Sequence, residues 1–410
     1  MALSNEPAPL YVLWQAQIGF NSAAVTLIYA GYIAGLLVAL VFAGALADRY
    51  GRRPVLLPGL ALGLVAAALF ITAHSVAVLC LARLLSGLSV GAVLAAGMAA
   101  VGDLAPEGEK KLGGLIASMS MAAGAALGPL LTGVLAQTLP WPTVTVFVVQ
   151  LGLLVTAAVL VSRMPLRHTA VAKGGGGGRW LRLPSAPPGA ARRALLVGLA
   201  VFAPAITATG FVLSLGPSLL ARLLGADNRL LSGGLIFLLF AAATGIQLAV
   251  RSVRVPALYR LGAAVTVAGM AALAGAVVLG SVPLLVCSAV LAGSGQGASQ
   301  LAGLSSLASL VPRARAAEAN AALTAGGYLV AGILPVLAGY LSDAVGLTTG
   351  TVVFGTAVAF LAVLGTLAAA ASSDPERRHS ANRRVPAVGE DRSASPVSAA
   401  ADGGPRKDDA

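Results

Sequence analysis

Eleven apolar stretches, each about 20 residues or longer and most of them bounded by charge or proline, run through this chain and leave little else from which to build a fold. A helix of about 20 apolar residues, rising 1.5 Å per residue, crosses the roughly 30 Å of hydrocarbon in a bilayer. The stretches fall at roughly 22–46, 54–73, 76–101, 112–137, 142–163, 194–218, 229–250, 256–280, 282–311, 319–342 and 347–371. Only 10% of the residues are charged, too few to cover the surface of a soluble protein of 410 residues. The fold class is therefore all-α and integral to a membrane.

The stretches group as five and six. Between them, 164–193 is polar, with a glycine run from Gly174 to Gly178 and prolines at 184, 187 and 188, the composition of a flexible linker. The expected organisation is an N-terminal bundle over 1–163, a linker over 164–193, a six-helix bundle over 194–371 and a polar tail over 372–410 with too few large apolar residues to fold. Residues 1–21 are interrupted by Asn5, Glu6, Pro7, Pro9, Gln15 and Gln17, and their longest apolar run, Leu10 to Trp14, is too short to cross.

Charge placement gives the orientation. Alternating the spans puts Arg49, Arg52, Arg53, Lys110, Lys111, Arg192, Arg193, Arg251, Arg254, the linker cations and the tail arginines on one side, against Arg222 and Arg229 on the other. By the positive-inside rule the rich side is cytoplasmic, and with it the C-terminus. The net charge of +12 thus needs no nucleic-acid partner.

The two halves repeat. An offset of 206 carries Gly87 and Gly91 onto Gly293 and Gly297, Pro106 onto Pro312, Pro129 onto Pro335 and Gly133 onto Gly339. Glycines and prolines at fixed spacing mean shared kinks and close contacts, the mark of a duplicated bundle whose halves can rock about a central path.

Between the first two spans lies the hairpin Gly44-Ala45-Leu46-Ala47-Asp48-Arg49-Tyr50-Gly51-Arg52-Arg53. It resembles the signature of the major facilitator superfamily, and Gly44, Leu46, Ala47, Asp48, Arg49, Gly51, Arg52 and Arg53 match every defined position. Two further motifs fall in register: Arg83, Gly87 and Gly91 resemble the pattern of the family's fourth helix, and Gly124, Gly128, Pro129 and Gly133 that of the fifth helix in its drug:proton antiporter branch. The resemblance implies twelve helices where eleven are visible. Pro9 to Trp14 resembles the outer end of the first one, so that either this helix is expected to begin upstream of Met1 or it is dispensable here. The second-half copy of the hairpin keeps Gly245, Arg251 and Arg254 but no acid like Asp48.

In the hairpin, Gly44 is expected to admit a close helix approach and Gly51 a tight turn. The resemblance implies a gate in which Asp48 caps the helix beginning near Glu318, while Arg52 or Arg53 pairs with Asp103. The plainer alternative is that the arginines only set topology. Arg83 lies about seven residues into its span, where an ionised side chain costs about 2.5–3.5 kcal/mol, which favours a polar cavity over snorkelling to the headgroups. The antiporter-like glycines read either as ordinary small-residue packing or, by resemblance, as a kink biasing the cycle toward export. Arg83, Gly87, Gly91, Gln150, Gln296 and Gln300 are assigned to the transport path; Gln15, Gln17, Tyr29, Tyr32, Gln247 and Tyr328 are further groups suited to an uncharged, polar-spotted cavity.

The acids are all expected in loops, termini or helix ends, Glu6 and Asp343 among them, so no carboxylate is available at mid-membrane to carry a proton. The carrier then lies on the absent helix, or Arg83 acts with water, or the chain is not proton-driven. Cys80 and Cys287 are expected as packing residues, and His74, His168 and His379 are too scattered for catalysis. Gly293 to Gly297 lacks the strand and lysine of a nucleotide loop. No enzyme, metal or cofactor is implied.

The reading is a multi-pass transporter of a bacterial plasma membrane, a monomer whose partners are a small-molecule substrate, protons and the lipid bilayer. Export of a drug-like or biosynthetic molecule by proton antiport leads. Uptake of a neutral nutrient, or a non-transporting sensor, remains the alternative.

Overall fold

Asn21 and Asn228 open two of the long helices in the same way: each side-chain oxygen accepts the backbone N–H three residues on, Ala24 and Leu231, at 3.0 Å. A computed structural model describes residues 1–104, 109–164, 189–312 and 315–373. The linker over 165–188 and the tail from 374 onward lie outside the described residues. Among the described residues, three short pieces, α1 (Ala2–Asn5), a 3-10 turn (Ala8–Leu10) and α2 (Tyr11–Ile18), precede the long helices. The first half continues as α3 (Ser22–Tyr50), α4 (Arg53–Ile71), α5 (Val76–Leu104), α6 (Lys110–Thr138) and α7 (Pro142–Arg163). The second supplies α8 (Ala190–Leu224), α9 (Arg229–Ala249), α10 (Val255–Leu279), α11 (Val282–Leu310), α12 (Ala316–Val345) and α13 (Leu347–Ser373).

Eleven of these helices are long and apolar enough to cross a membrane, as the sequence predicted. Several run beyond the apolar stretch. Helix α8 starts at Ala190 and ends at Leu224, overrunning the predicted 194–218 at both ends with Arg192, Arg193 and Arg222. Apolarity marks only the part of a helix inside hydrocarbon, and the charged end turns reach the water on either side.

The duplication extends to the helix ends. Gly19 and Gly225, separated by the offset of 206, both end a helix in the left-handed region, at φ 77° and 67°. Ser75 and Ser281, at the same offset, each accept from the N–H three residues on. By this offset, residues 2–18 correspond to the last half of α8.

Within each half the helices meet backbone to backbone. A Cβ on Gly87 would strike the Tyr32 carbonyl of α3, and one on Gly293 the Leu239 carbonyl of α9. Gly91 faces Ala39 on α3 and Gly297 faces the Ala243 carbonyl on α9. These four glycines are therefore contacts between α5 and α3, and between α11 and α9. Gly44 does not behave as expected: a Cβ there meets nothing within 4 Å, so it serves no close approach. Cys287 is likewise exposed rather than packed, whereas Cys80 is half-buried.

Between the halves, α3 packs on α12 and α6 on α9, while the N-terminal pieces lie against α6, α8 and α9. The outward faces of α6 and α7 are apolar, with Leu112, Leu115, Ile116, Leu153 and Leu160 exposed, as contact with lipid requires.

Replacing a contact glycine should be costly and replacing Gly44 should not. Thermal unfolding in detergent is expected to show Gly293→Leu destabilised by about 1–3 kcal/mol or more. Gly44→Ala should stay within about 1 kcal/mol of the parent. Equal behaviour of the two variants would contradict the packing described.

Candidate transport site

The sequence Glu6-Pro7-Ala8-Pro9 breaks the N-terminal segment inside the bundle. Pro7 and Pro9 have no N–H to return to the carbonyls four residues back, so the helix stops at Asn5 and resumes through a 3-10 turn. The carbonyls freed at such a break need donors, because hydrocarbon offers none. Leu3, Ser4, Asn5, Glu6, Ala8, Leu10, Tyr11 and Trp14 are all buried, so this segment belongs to the interior and is not a loose terminus.

Arg83 of α5 supplies one donor. Its Nη1 donates to the Ser4 carbonyl at 2.6 Å and its Nε to the Tyr11 hydroxyl at 2.7 Å. The guanidinium carbon lies 5.3 Å from the Tyr11 ring centre and 5.7 Å from that of Tyr32 on α3. Arg83 is 1% exposed, so it turns into the bundle and does not snorkel. Around it, Tyr29 of α3 reaches the second half: a Cβ on Gly210 of α8 would lie 3.2 Å from the Tyr29 hydroxyl and 3.3 Å from the Ala331 carbonyl of α12.

Glu6 overturns the expectation for the acids. It is 3% exposed, and its Oε2 has no hydrogen-bond partner. A buried carboxyl is therefore present, in the segment that the sequence left as a terminus. The signal available was a lone acid followed by two prolines just ahead of the apolar run from Leu10 to Trp14. Beside it, the Asn5 side-chain amide donates to the Ala125 carbonyl of α6 at 3.2 Å.

The antiporter-like motif sits against this segment. Cβ atoms on Gly124 and Gly128 would lie 3.0 Å from the Met1 side chain and 2.9 Å from the Ala2 backbone. Further along α6, Pro129 and Gly133 face α9, where the Pro129 carbonyl meets Gly233. The glycines thus make room for α1 and then for the opposite half.

The other assigned residues lie apart. Gln296 accepts from the Thr209 hydroxyl at 3.2 Å, and Gln300 accepts from the Gln247 amide at 3.3 Å, both inside the second half. Gln150 is buried on α7 with its Oε1 unpartnered. Gln15 accepts from Ser218 of α8 at 2.8 Å, joining the halves, whereas Gln17 is exposed. At the hairpin, Gly51 takes φ 94° and makes the turn, Arg52 donates to the Ala47 carbonyl at 2.8 Å, Arg49 lies over the Tyr50 ring and Arg53 starts α4. The side chains of Asp48 and Asp103 lie outside the described residues, and the expected gate with them. Arg315 and Glu318 pair at 3.1 Å in the first turn of α12. A cavity of about 320 Å³ opens on the seam between α3 and α12, lined by apolar residues including Ile33, Leu37, Leu329 and Val336. No cluster of metal-ligating side chains occurs among the described residues.

Two repeated helical bundles, with a buried arginine and carboxyl where a broken helix enters the first, define a multi-pass membrane transporter built by duplication. The profile of the Major Facilitator Superfamily matches residues 6–273 and 251–401, and the chain belongs to that family. The Methylenomycin A resistance protein of Bacillus subtilis (strain 168) is 28% identical over 158 residues, 38% of this chain and 34% of the relative. The Multidrug resistance protein MdtL of Escherichia coli O45:K1 is 37% identical over 76 residues, 18% of this chain and 19% of the relative. The matches thus span about a third or less of these relatives' length. Among solved structures, an inward-facing, occupied bacterial homolog of the human lysosomal transporter Spinster superposes with a TM-score of 0.69 at 14% identity, covering 94% of this chain and 96% of that one. The nucleoside transporter NupG superposes at 0.67 with 12% identity, covering 91% and 96%. At these identities the likeness is one of fold.

The bond between Arg83 and Tyr11 has a thermodynamic signature. Arg83→Leu should cost about 1–3 kcal/mol for the buried acceptors it strands. In a double-mutant cycle on detergent-purified protein, Arg83→Leu with Tyr11→Phe should cost less than the two single changes together. Strict additivity would remove the bond from the description.

Proposed function

We propose that this chain exports an amphipathic small molecule in exchange for protons, by alternating access of its two halves. The observation that carries the reading is Glu6, a carboxyl enclosed by protein with one oxygen unpartnered, two residues from the carbonyl that Arg83 holds. Glu6 is thus suited to bind a proton in one state of the cycle and release it when the opposite state admits water. The tyrosines around Arg83 and the apolar cavity on the α3 and α12 seam suit a molecule with both polar and apolar parts. Export is supported by the names of relatives: the Methylenomycin A resistance protein and the Multidrug resistance protein MdtL described above, and the Quinolone resistance protein NorA of Staphylococcus aureus, 26% identical over 129 residues, 32% of this chain and 33% of the relative.

In this reading the hairpin face, the linker and the C-terminus are cytoplasmic, because the basic residues collect there. The protein works as a monomer of two bundles, 1–163 and 194–371, in a bacterial plasma membrane. Asp48 caps the start of α12, Arg52 or Arg53 engages Asp103, and this gate holds the cytoplasmic face shut in the outward-facing state. Gln150, Gln296 and Gln300 line the path, and the kinked motif through Pro129 favours export.

Everted membrane vesicles energised to an acidic interior test this. Adding methylenomycin A, a quinolone or ethidium should dissipate the pH gradient, read by acridine orange, in vesicles carrying the parent protein. Glu6→Gln should abolish that response, and Asp48→Asn should insert normally yet fail to transport. Accumulation of a compound that is indifferent to collapse of the gradient would exclude proton coupling.

A further inference from the structure

The first residues of α3 are held by the other half of the protein. A helix leaves four N–H groups without intrahelical partners at its start. In α3 the Asn21 side chain satisfies one of them, Ala24, at 3.0 Å, while the Asn21 carbonyl accepts the first intrahelical bond, from Val25, at 3.3 Å. Two more, Ser22 and Ala23, donate to Asp343 Oδ1 and Oδ2 at 3.0 and 2.9 Å. Asp343 lies in the last turn of α12, so the cap crosses the seam between the halves. A carboxylate at that position also meets the positive end of the α3 dipole.

The duplication places a weaker version at the other seam. Gln137, which the offset of 206 carries onto Asp343, accepts from the Arg229 N–H at the start of α9, at 3.2 Å. The Arg229 guanidinium returns to the Ala136 carbonyl of α6 at 2.9 Å. Beneath each cap a glycine of the same motif brings the helices together. Gly339 lies against Thr26 and the Ala23 backbone, and Gly133 against the Arg229 carbonyl at 2.6 Å for an added Cβ. All these contacts lie at one face of the bundle, the end opposite the hairpin at Gly51.

We propose that Asp343 is the latch of this face. It holds α3 to α12 while the face is closed, and opening requires the α3 terminus to give up both of its borrowed acceptors. Gln137 is the subordinate latch at the α6 and α9 seam, uncharged and with a single bond. The device is independent of substrate, of coupling ion and of the residues around Arg83, so it stands or falls apart from the transport reading above.

Spin labels on His74→Cys and Leu279→Cys, exposed positions on this face in opposite halves, report its opening. The background carries Cys80→Ala and Cys287→Ser, and distances are read by double electron–electron resonance in nanodiscs. Asp343→Ala is expected to raise the ratio of open to closed populations about fivefold, the equivalent of losing a cap of about 1 kcal/mol. Asp343→Asn, which keeps a side-chain acceptor, should shift it less. Gln137→Ala should shift it less than Asp343→Ala, and the pair together more than either. Should Asp343→Ala lower the unfolding temperature but leave the distance distribution unchanged, Asp343 would be a helix cap only and the latch would be refuted. Should it unfold the protein, Asp343→Asn decides in the same way.

Discussion

A backbone carbonyl released inside a membrane has to find a donor in the protein, and at Ser4 that donor is the side chain of Arg83. Much of the first bundle follows from that bond. It ties the broken N-terminal segment to α5, and the two tyrosines that flank the guanidinium tie both to α2 and α3. The segment then needs a bed, which Gly124 and Gly128 of α6 provide by having no side chains. Trp14 completes the anchorage by stacking on Phe70 and Phe147, at 5.8 and 6.1 Å between ring centres. Glu6 is carried into the interior by the same break. A charge that would be costly on its own, and a helix interruption that would be costly on its own, offset each other.

The chain uses two kinds of helix contact. Inside each half, glycines let α5 rest on the backbone of α3, and α11 on that of α9, with little freedom to repack. Across the halves, α6 also meets α9 backbone to backbone at Gly133 and Gly233, and at the face opposite the hairpin the seams are closed by helix caps, with hydrogen bonds accepted by Asp343 and Gln137 that a small displacement would break. Interiors held by close packing resist deformation, whereas the polar bonds that close the end of a seam can break without disturbing either side. Rigid bundles with a breakable seam are what rocking motion requires.

Much of this was legible in the sequence where a local rule carries it. Hydrocarbon thickness sets the spans, and duplication leaves its glycines and prolines at a constant offset. The depth of Arg83 in an apolar helix already favours an interior position. What escaped depends on tertiary partners. Glu6 reads as a terminal acid because the rule for a span counts uninterrupted apolar residues, and Pro7 and Pro9 interrupt them. Asp343 reads as an ordinary helix-end charge because nothing local shows the α3 terminus beside it. Gly44 matches a motif yet touches nothing, since a motif gives residue type and not neighbour. The repeat offset, applied to Gln137 as well as to the glycines, points from sequence to the Asp343 position.

The two seams are unlike in texture. Where α6 meets α9, Gly133 and Gly233 set bare main chain against bare main chain. Where α3 meets α12, the Thr26 hydroxyl fills the notch at Gly339 like a peg. Bare backbones in contact present no side chain to one another at that point, whereas a peg has to be lifted out before its neighbour moves. The pseudo-symmetric halves thus meet along unlike edges: at one the backbones touch directly, and at the other a buried hydroxyl occupies the space that a glycine leaves.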